Sequence, residues 1–98
     1  MTVKLGVLAL IEAKPGKGGD LGAFLEAGRQ LAAAEVGTVT WYAFKLGDNE
    51  YGILDSFETE SARQAHLNGA IPTALGQVAS DLLAKEPDIK LIDMIAVK

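Results

Sequence analysis

The sequence predicts an α+β fold, a ferredoxin-like sandwich with a four-stranded antiparallel sheet and helices on one face. Three observations predict it. Periodicity and turn residues read in the order β-α-β-β-α-α-β. The two middle strands are joined by a short polar tip, Gly47-Asp48-Asn49-Glu50, as in an antiparallel hairpin. Each strand carries apolar residues on both faces, although helices cover only one. Large exposed apolar patches are rare on monomers, so a second copy is expected over the open face, sheet against sheet.

The first strand spans residues 3 to 12. Val3, Leu5, Val7, Ala9 and Ile11 share one face, and Leu8 and Leu10 lie on the other. Lys14-Pro15-Gly16-Lys17-Gly18-Gly19 is a loop by composition. It lacks the Gly-Lys-Ser/Thr ending that a phosphate-binding loop needs. Asp20 is the expected N-cap of a helix to Glu35, with Leu21, Phe24, Leu25, Gly28, Leu31 and Ala32 on its apolar stripe. Gly37 is placed to end that helix in a left-handed conformation.

Thr38 to Leu46 is rich in β-branched and aromatic residues and forms the second strand. Its Tyr42, Phe44 and Leu46 face one side, and Trp41 and Ala43 the other. Tyr51 to Phe57 returns as the third strand. Thr59 caps a short helix to Leu67, which Asn68-Gly69 ends. Pro72 suits the first turn of a third helix, to Ala84, with Ile71, Leu75, Val78, Leu82 and Leu83 on its buried stripe. Ile89 to Val97 closes the chain as the last strand.

Composition narrows the function. Ninety-eight residues make one domain, residues 1–98, with 49% hydrophobic and 22% charged residues, a soluble globular balance. Net charge is -4, and only Arg29, Arg63 and seven scattered lysines are basic, so nucleic acid is not an expected partner. The absence of cysteine removes disulfides, thiolate nucleophiles and iron–sulfur ligation. The start of the chain has no basic segment leading into a long apolar run, and Val3 to Ile11 is too short to span a bilayer. No membrane partner is expected, and a cytoplasmic protein is. One histidine among scattered carboxylates gives no metal site.

The stretch from Tyr51 to Asn68 gathers the polar residues that an apolar fold must account for. Asp55 interrupts an apolar strand, so its carboxylate must be paired, hydrogen-bonded or neutralised. It could accept a phenolic proton, or serve as a structural partner for a backbone N–H or Arg63. His66 is the sole side chain that ordinarily titrates near neutrality. It is a candidate general base, or alternatively a helix-end residue answering the dipole. Arg63 is a candidate to stabilise a developing oxyanion, or merely to answer Glu60 or Asp55. Trp41, Tyr42, Phe44 and Tyr51 are candidates to line a flat slot for an aromatic substrate, or otherwise core.

Lys14-Pro15-Gly16-Lys17, Glu35-x-Gly37-Thr38 and Trp41-Tyr42-Ala43-Phe44 resemble the antibiotic biosynthesis monooxygenase-like family of dimeric α/β-barrel proteins. So do Asp55-x-Phe57-x-x-Glu60 with Ala62-Arg63-x-x-His66-Leu67, and the closing Asp93-Met94-x-Ala96-x-Lys98. The resemblance implies a homodimer whose sheets close into a barrel, with a pocket in each subunit between sheet and helices. It implies a monooxygenase working without a cofactor on a phenolic, quinol or anthrone-type substrate, with His66 and Arg63 as catalytic residues. Trp41, Tyr42, Phe44, Tyr51 and Asp55 would contact the substrate. A dimeric module that binds a small molecule or a partner without turnover is the rival reading. Haem binding is a third: the resemblance to haem-degrading relatives would make His66 the iron ligand. Those relatives pair it with an asparagine on the first strand and a tryptophan at the start of the following helix, but here the first strand has no asparagine and Ser56 to Ala62 no tryptophan.

Overall fold

A computed structural model describes residues 2–98. Its elements are β1 (Leu5–Glu12), α1 (Gly18–Ala33), β2 (Thr38–Lys45), β3 (Glu50–Phe57), α2 (Glu60–Leu67), α3 (Ala70–Leu82) and β4 (Asp88–Asp93). The strands form one antiparallel sheet in the order β2-β3-β1-β4. This is the expected ferredoxin-like arrangement, and it leaves β2 and β4 as edges.

One face of the sheet meets the helices. Val7, Ala9 and Ile11 of β1, and Tyr51, Ile53, Asp55 and Phe57 of β3, are buried there. Against them pack Leu21 and Leu25 of α1 and Leu75 and Leu82 of α3, the stripes that three- and four-residue spacing put on one side of each helix. Leu31 is exposed, so the stripe of α1 is narrower than its sequence suggests. On the opposite face Leu8 and Leu54 are register neighbours, as are Leu54 and Tyr42, and no helix covers them.

The register between β2 and β3 is interrupted. Thr38 pairs with Phe57 and Thr40 with Ser56, so one extra residue, the half-exposed Val39, is accommodated between them. Strand alternation changes phase at that bulge. Thr38 and Trp41 therefore face the same helical layer although they are three positions apart.

Several boundaries depart from the sequence reading. Helix α1 begins at Gly18 with Lys17 as N-cap and no side-chain cap. Asp20 lies inside the first turn instead, where its charge still suits the positive helix end. The helix does not end in a left-handed Gly37, since among the described residues only Gly16 has positive φ, 81°. Its end tightens, with Ala34 N–H donating to Leu31 O and Glu35 N–H to Ala32 O at 3.0 Å. Gly37 matters by its lack of a side chain, because a Cβ there would lie 2.6 Å from that of Ala62 on α2. Helix α3 ends at Leu82, and Ala84 N–H donates to Glu12 O beside β1. Strand β4 ends at Asp93, and Ile95 and Val97 lie exposed beyond it. Thr59 caps α2 as expected, its Oγ1 accepting from Ala62 N–H at 3.1 Å.

Candidate functional site

Three elements bring their polar side chains to one point beneath the helices. His66 lies in the last turn of α2, Asp55 in the middle of β3, and Glu35 in the connector from α1 to β2. His66 Nε2 is 2.8 Å from Asp55 Oδ2, and its Nδ1 is 2.7 Å from Glu35 Oε1. Both ring nitrogens donate when the imidazole is protonated, so one cation joins two carboxylates. Thr38 Oγ1 donates to the same Glu35 oxygen at 2.6 Å. The Phe57 ring closes one side, its centroid 5.3 Å from that of His66.

Local structure explains this convergence. The tightened end of α1 swings Glu35 off the helix axis. The absent side chain at Gly37 lets the connector lie against Ala62, and Gly69 leaves room beside Glu35 Oε2. Asp55 is 1% exposed and His66 6%, so the centre is largely closed to water. Burial alone would push the imidazole pKa down. The hydrogen bonds and charges of Asp55 and Glu35 together outweigh that, and His66 is held above its ordinary value. Asp55 Oδ1 is buried and has no hydrogen-bond partner among the described residues.

The centre is thus a chain of acid, imidazole and acid. One end is the unpartnered oxygen of Asp55, and the other is Glu35, whose side chain is 20% exposed. Neither nitrogen of His66 is free to ligate iron without giving up a carboxylate, which makes it a poor axial ligand. No group of three or more His, Cys, Asp or Glu among the described residues is placed to hold a metal ion.

Arg63 sits one turn before His66 but points elsewhere. Its guanidinium donates to Gly6 O and Ile92 O, each at 3.2 Å, and to the Glu60 carboxylate. Instead of an oxyanion stabiliser beside His66, the geometry makes it a clasp holding α2 to the backbones of β1 and β4. The pair with Glu60 pulls that carboxyl below its usual range.

A groove of about 450 Å³ opens beside the centre, between α1 and the edge strand β2. Gly22, Leu25, Glu26 and Arg29 face it from the helix, at the spacing of one helical stripe. Trp41, Ala43 and Lys45 face it from the strand, and Tyr51 forms part of its floor. Tyr42 and Phe44 border it along the strand, but alternation sends their side chains to the open sheet face, where the Phe44 ring covers Gly52. Asp55 does not line the groove; it lies directly across the ladder from Trp41. The indole Nε1 of Trp41 is buried without a hydrogen-bond partner among the described residues.

Sequence reasoning picked out His66 and Asp55 but missed Glu35. A signal was present, because a carboxylate at the negative end of a helix is unfavourable unless a cation or donor answers it.

Solved structures match this arrangement over nearly its whole length. A candidate antibiotic biosynthesis monooxygenase from Caulobacter crescentus CB15 superposes with TM-score 0.80 at 20% identity, over 96% of this chain and 92% of its own. PA3566 from Pseudomonas aeruginosa gives 0.84 at 20% identity, over 98% of both chains. The fold is therefore that of the antibiotic biosynthesis monooxygenase-like proteins. The NE2512 protein of unknown function from Nitrosomonas europaea is 43% identical over 98% of this chain and 93% of its own, with TM-score 0.96. The chain belongs to the family of that protein. No protein-family model and no curated protein matches the chain.

Proposed function

We propose that the chain, as one domain in the cytoplasm, is a small oxygenase that uses no cofactor and acts on a phenolic, quinol or anthrone-type substrate. One observation carries the proposal: the Asp55–His66–Glu35 chain has, at its buried end, an oxygen unpartnered among the described residues, and a partly exposed carboxylate at the other. The groove holds the aromatic rings against Trp41, one cross-strand step from Asp55.

Taking an anthrone-type substrate as the example, the ring methylene gives up a proton through a bridging water to Asp55, which lies behind the groove wall, and a delocalised carbanion is left. The carbanion gives electrons to dioxygen, and a carbon–oxygen bond forms as a hydroperoxide. Loss of water then leaves a carbonyl, so one oxygen atom enters the product and the other enters water. The substrate itself is the reductant. A proton held at Asp55 weakens its grip on the imidazolium, and Nδ1 releases one to Glu35 and solvent. Keeping the carbanion among Trp41, Leu25 and Tyr51 limits its reprotonation by water.

The reading includes a homodimer through the open sheet face. Tyr42 is 59% exposed there, and Leu8, Leu10, Leu54 and Phe44 are only partly buried. Sedimentation as a 10.3 kDa monomer at micromolar concentration would remove it.

Oxygen uptake with a panel of quinols and anthrones, on metal-free protein, tests the chemistry. Uptake should fall at least about 100-fold in Asp55→Asn, which keeps the shape and removes the base. Uptake equal in Asp55→Asn and wild type would refute the role of Asp55. The burial of Asp55 and His66 favours the second reading, a binding module without turnover. An aromatic ligand that binds and stays unchanged in air would establish it.

A further inference from the structure

The groove between α1 and β2 is edged by two cations on opposite walls, Arg29 from the helix and Lys45 from the strand. Neither takes part in an ion pair among the described residues. Glu26 is the one carboxylate lining the groove, so its side chains carry a net positive charge on a chain of net charge -4. Trp41, Tyr51, Leu25 and Ala43 supply the aromatic and apolar part of the lining. The groove thus offers one apolar slab and two cationic donors, and its volume suits two or three fused rings.

We infer that the groove selects a planar aromatic anion, an aryl carboxylate whose rings lie on Trp41 and whose charge sits between Arg29 and Lys45. This rests on taking the groove as the substrate site, and it adds the charge that the substrate carries. The guanidinium can hold a carboxylate through two parallel hydrogen bonds, whereas the ammonium acts as a point charge, so Arg29 contributes the larger part. A neutral ring system of the same shape keeps the apolar contact and loses both cations.

Calorimetric titration with 1-hydroxy-2-naphthoate and its neutral counterpart 1-hydroxy-2-naphthamide tests the inference without requiring turnover. Quenching of Trp41, the sole tryptophan, reports where the ligand binds. The carboxylate should bind at least about tenfold more tightly than the amide, the factor expected for one charge-assisted hydrogen bond. That preference should shrink in Arg29→Gln and in Lys45→Gln, and vanish in the double variant with amide affinity unchanged. Equal binding of the two probes, a preference untouched by the double variant, or no binding of either would overturn it. The two proposals fail separately. Carboxylate preference without oxygen uptake leaves the anion site standing and removes the oxygenase, whereas uptake with neutral anthrones but no carboxylate preference does the reverse.

Discussion

The His66 centre and the α1–β2 groove are neighbours that solve opposite problems. The centre is closed, rich in carboxylates, and sets one imidazole between two of them. The groove is open and aromatic, and its cations form no ion pair among the described residues. Asp55 and Trp41 face each other across the ladder where the two meet, and each holds a buried polar atom without a partner among the described residues. The titratable groups are thus kept dry, while the groove stays open to solvent. The centre's polar groups are committed to each other and should govern stability. The groove's are free and should govern affinity.

The largest effect that would test this division is on stability. His66→Ala strands the buried Asp55 carboxylate without its cation and should cost about 3–5 kcal/mol in urea unfolding. A loss below about 1 kcal/mol would mean that the centre is not an electrostatic unit. Smaller, but sharper in assignment, is the pH dependence. Because His66 is raised in the folded state, its contribution is fully present below the unfolded imidazole pKa of about 6.5 and is lost as pH rises through the folded value. Stability should therefore decline over that interval, and Glu35→Gln should flatten the decline. The single histidine makes its ring protons an unambiguous NMR probe, and a midpoint at or below about 6.5 would contradict the geometry. Smallest should be Lys45→Gln, which leaves stability within about 0.5 kcal/mol because nothing in the fold depends on that ammonium. A larger change would show that the groove is a structural region as well.

Most of the fold could be read from the sequence because it rests on local pattern. Odd positions of β1 and β3 form the core, Thr59 caps α2, and the polar tip makes the hairpin. Boundaries failed where chain ends relax, as at Asp93, beyond which Ile95 and Val97 lie outside the sheet despite their alternation. The candidate site was legible only as single residues. His66 and Asp55 stood out as titratable groups in apolar surroundings, but their pairing depends on where α2 settles on β3. Glu35 escaped because its role needs the tightened end of α1 and two close approaches, at Gly37 and Gly69. Arg63 promised charge stabilisation by sequence proximity to His66, yet the carbonyls of Gly6 and Ile92 claim it.

The extra residue at Val39 works as a phase shifter. An unbroken strand places residues three apart on opposite faces, so Thr38 could hold Glu35 or Trp41 could floor the groove, but not both. The bulge lets one strand serve both regions at once. Deleting Val39 should restore a continuous ladder and force a choice: either Glu35 loses its hydroxyl or the groove loses its indole. Deletion of this one uncharged residue would then uncouple the two regions, visible as a His66 midpoint that moves while Trp41 quenching persists, or the converse.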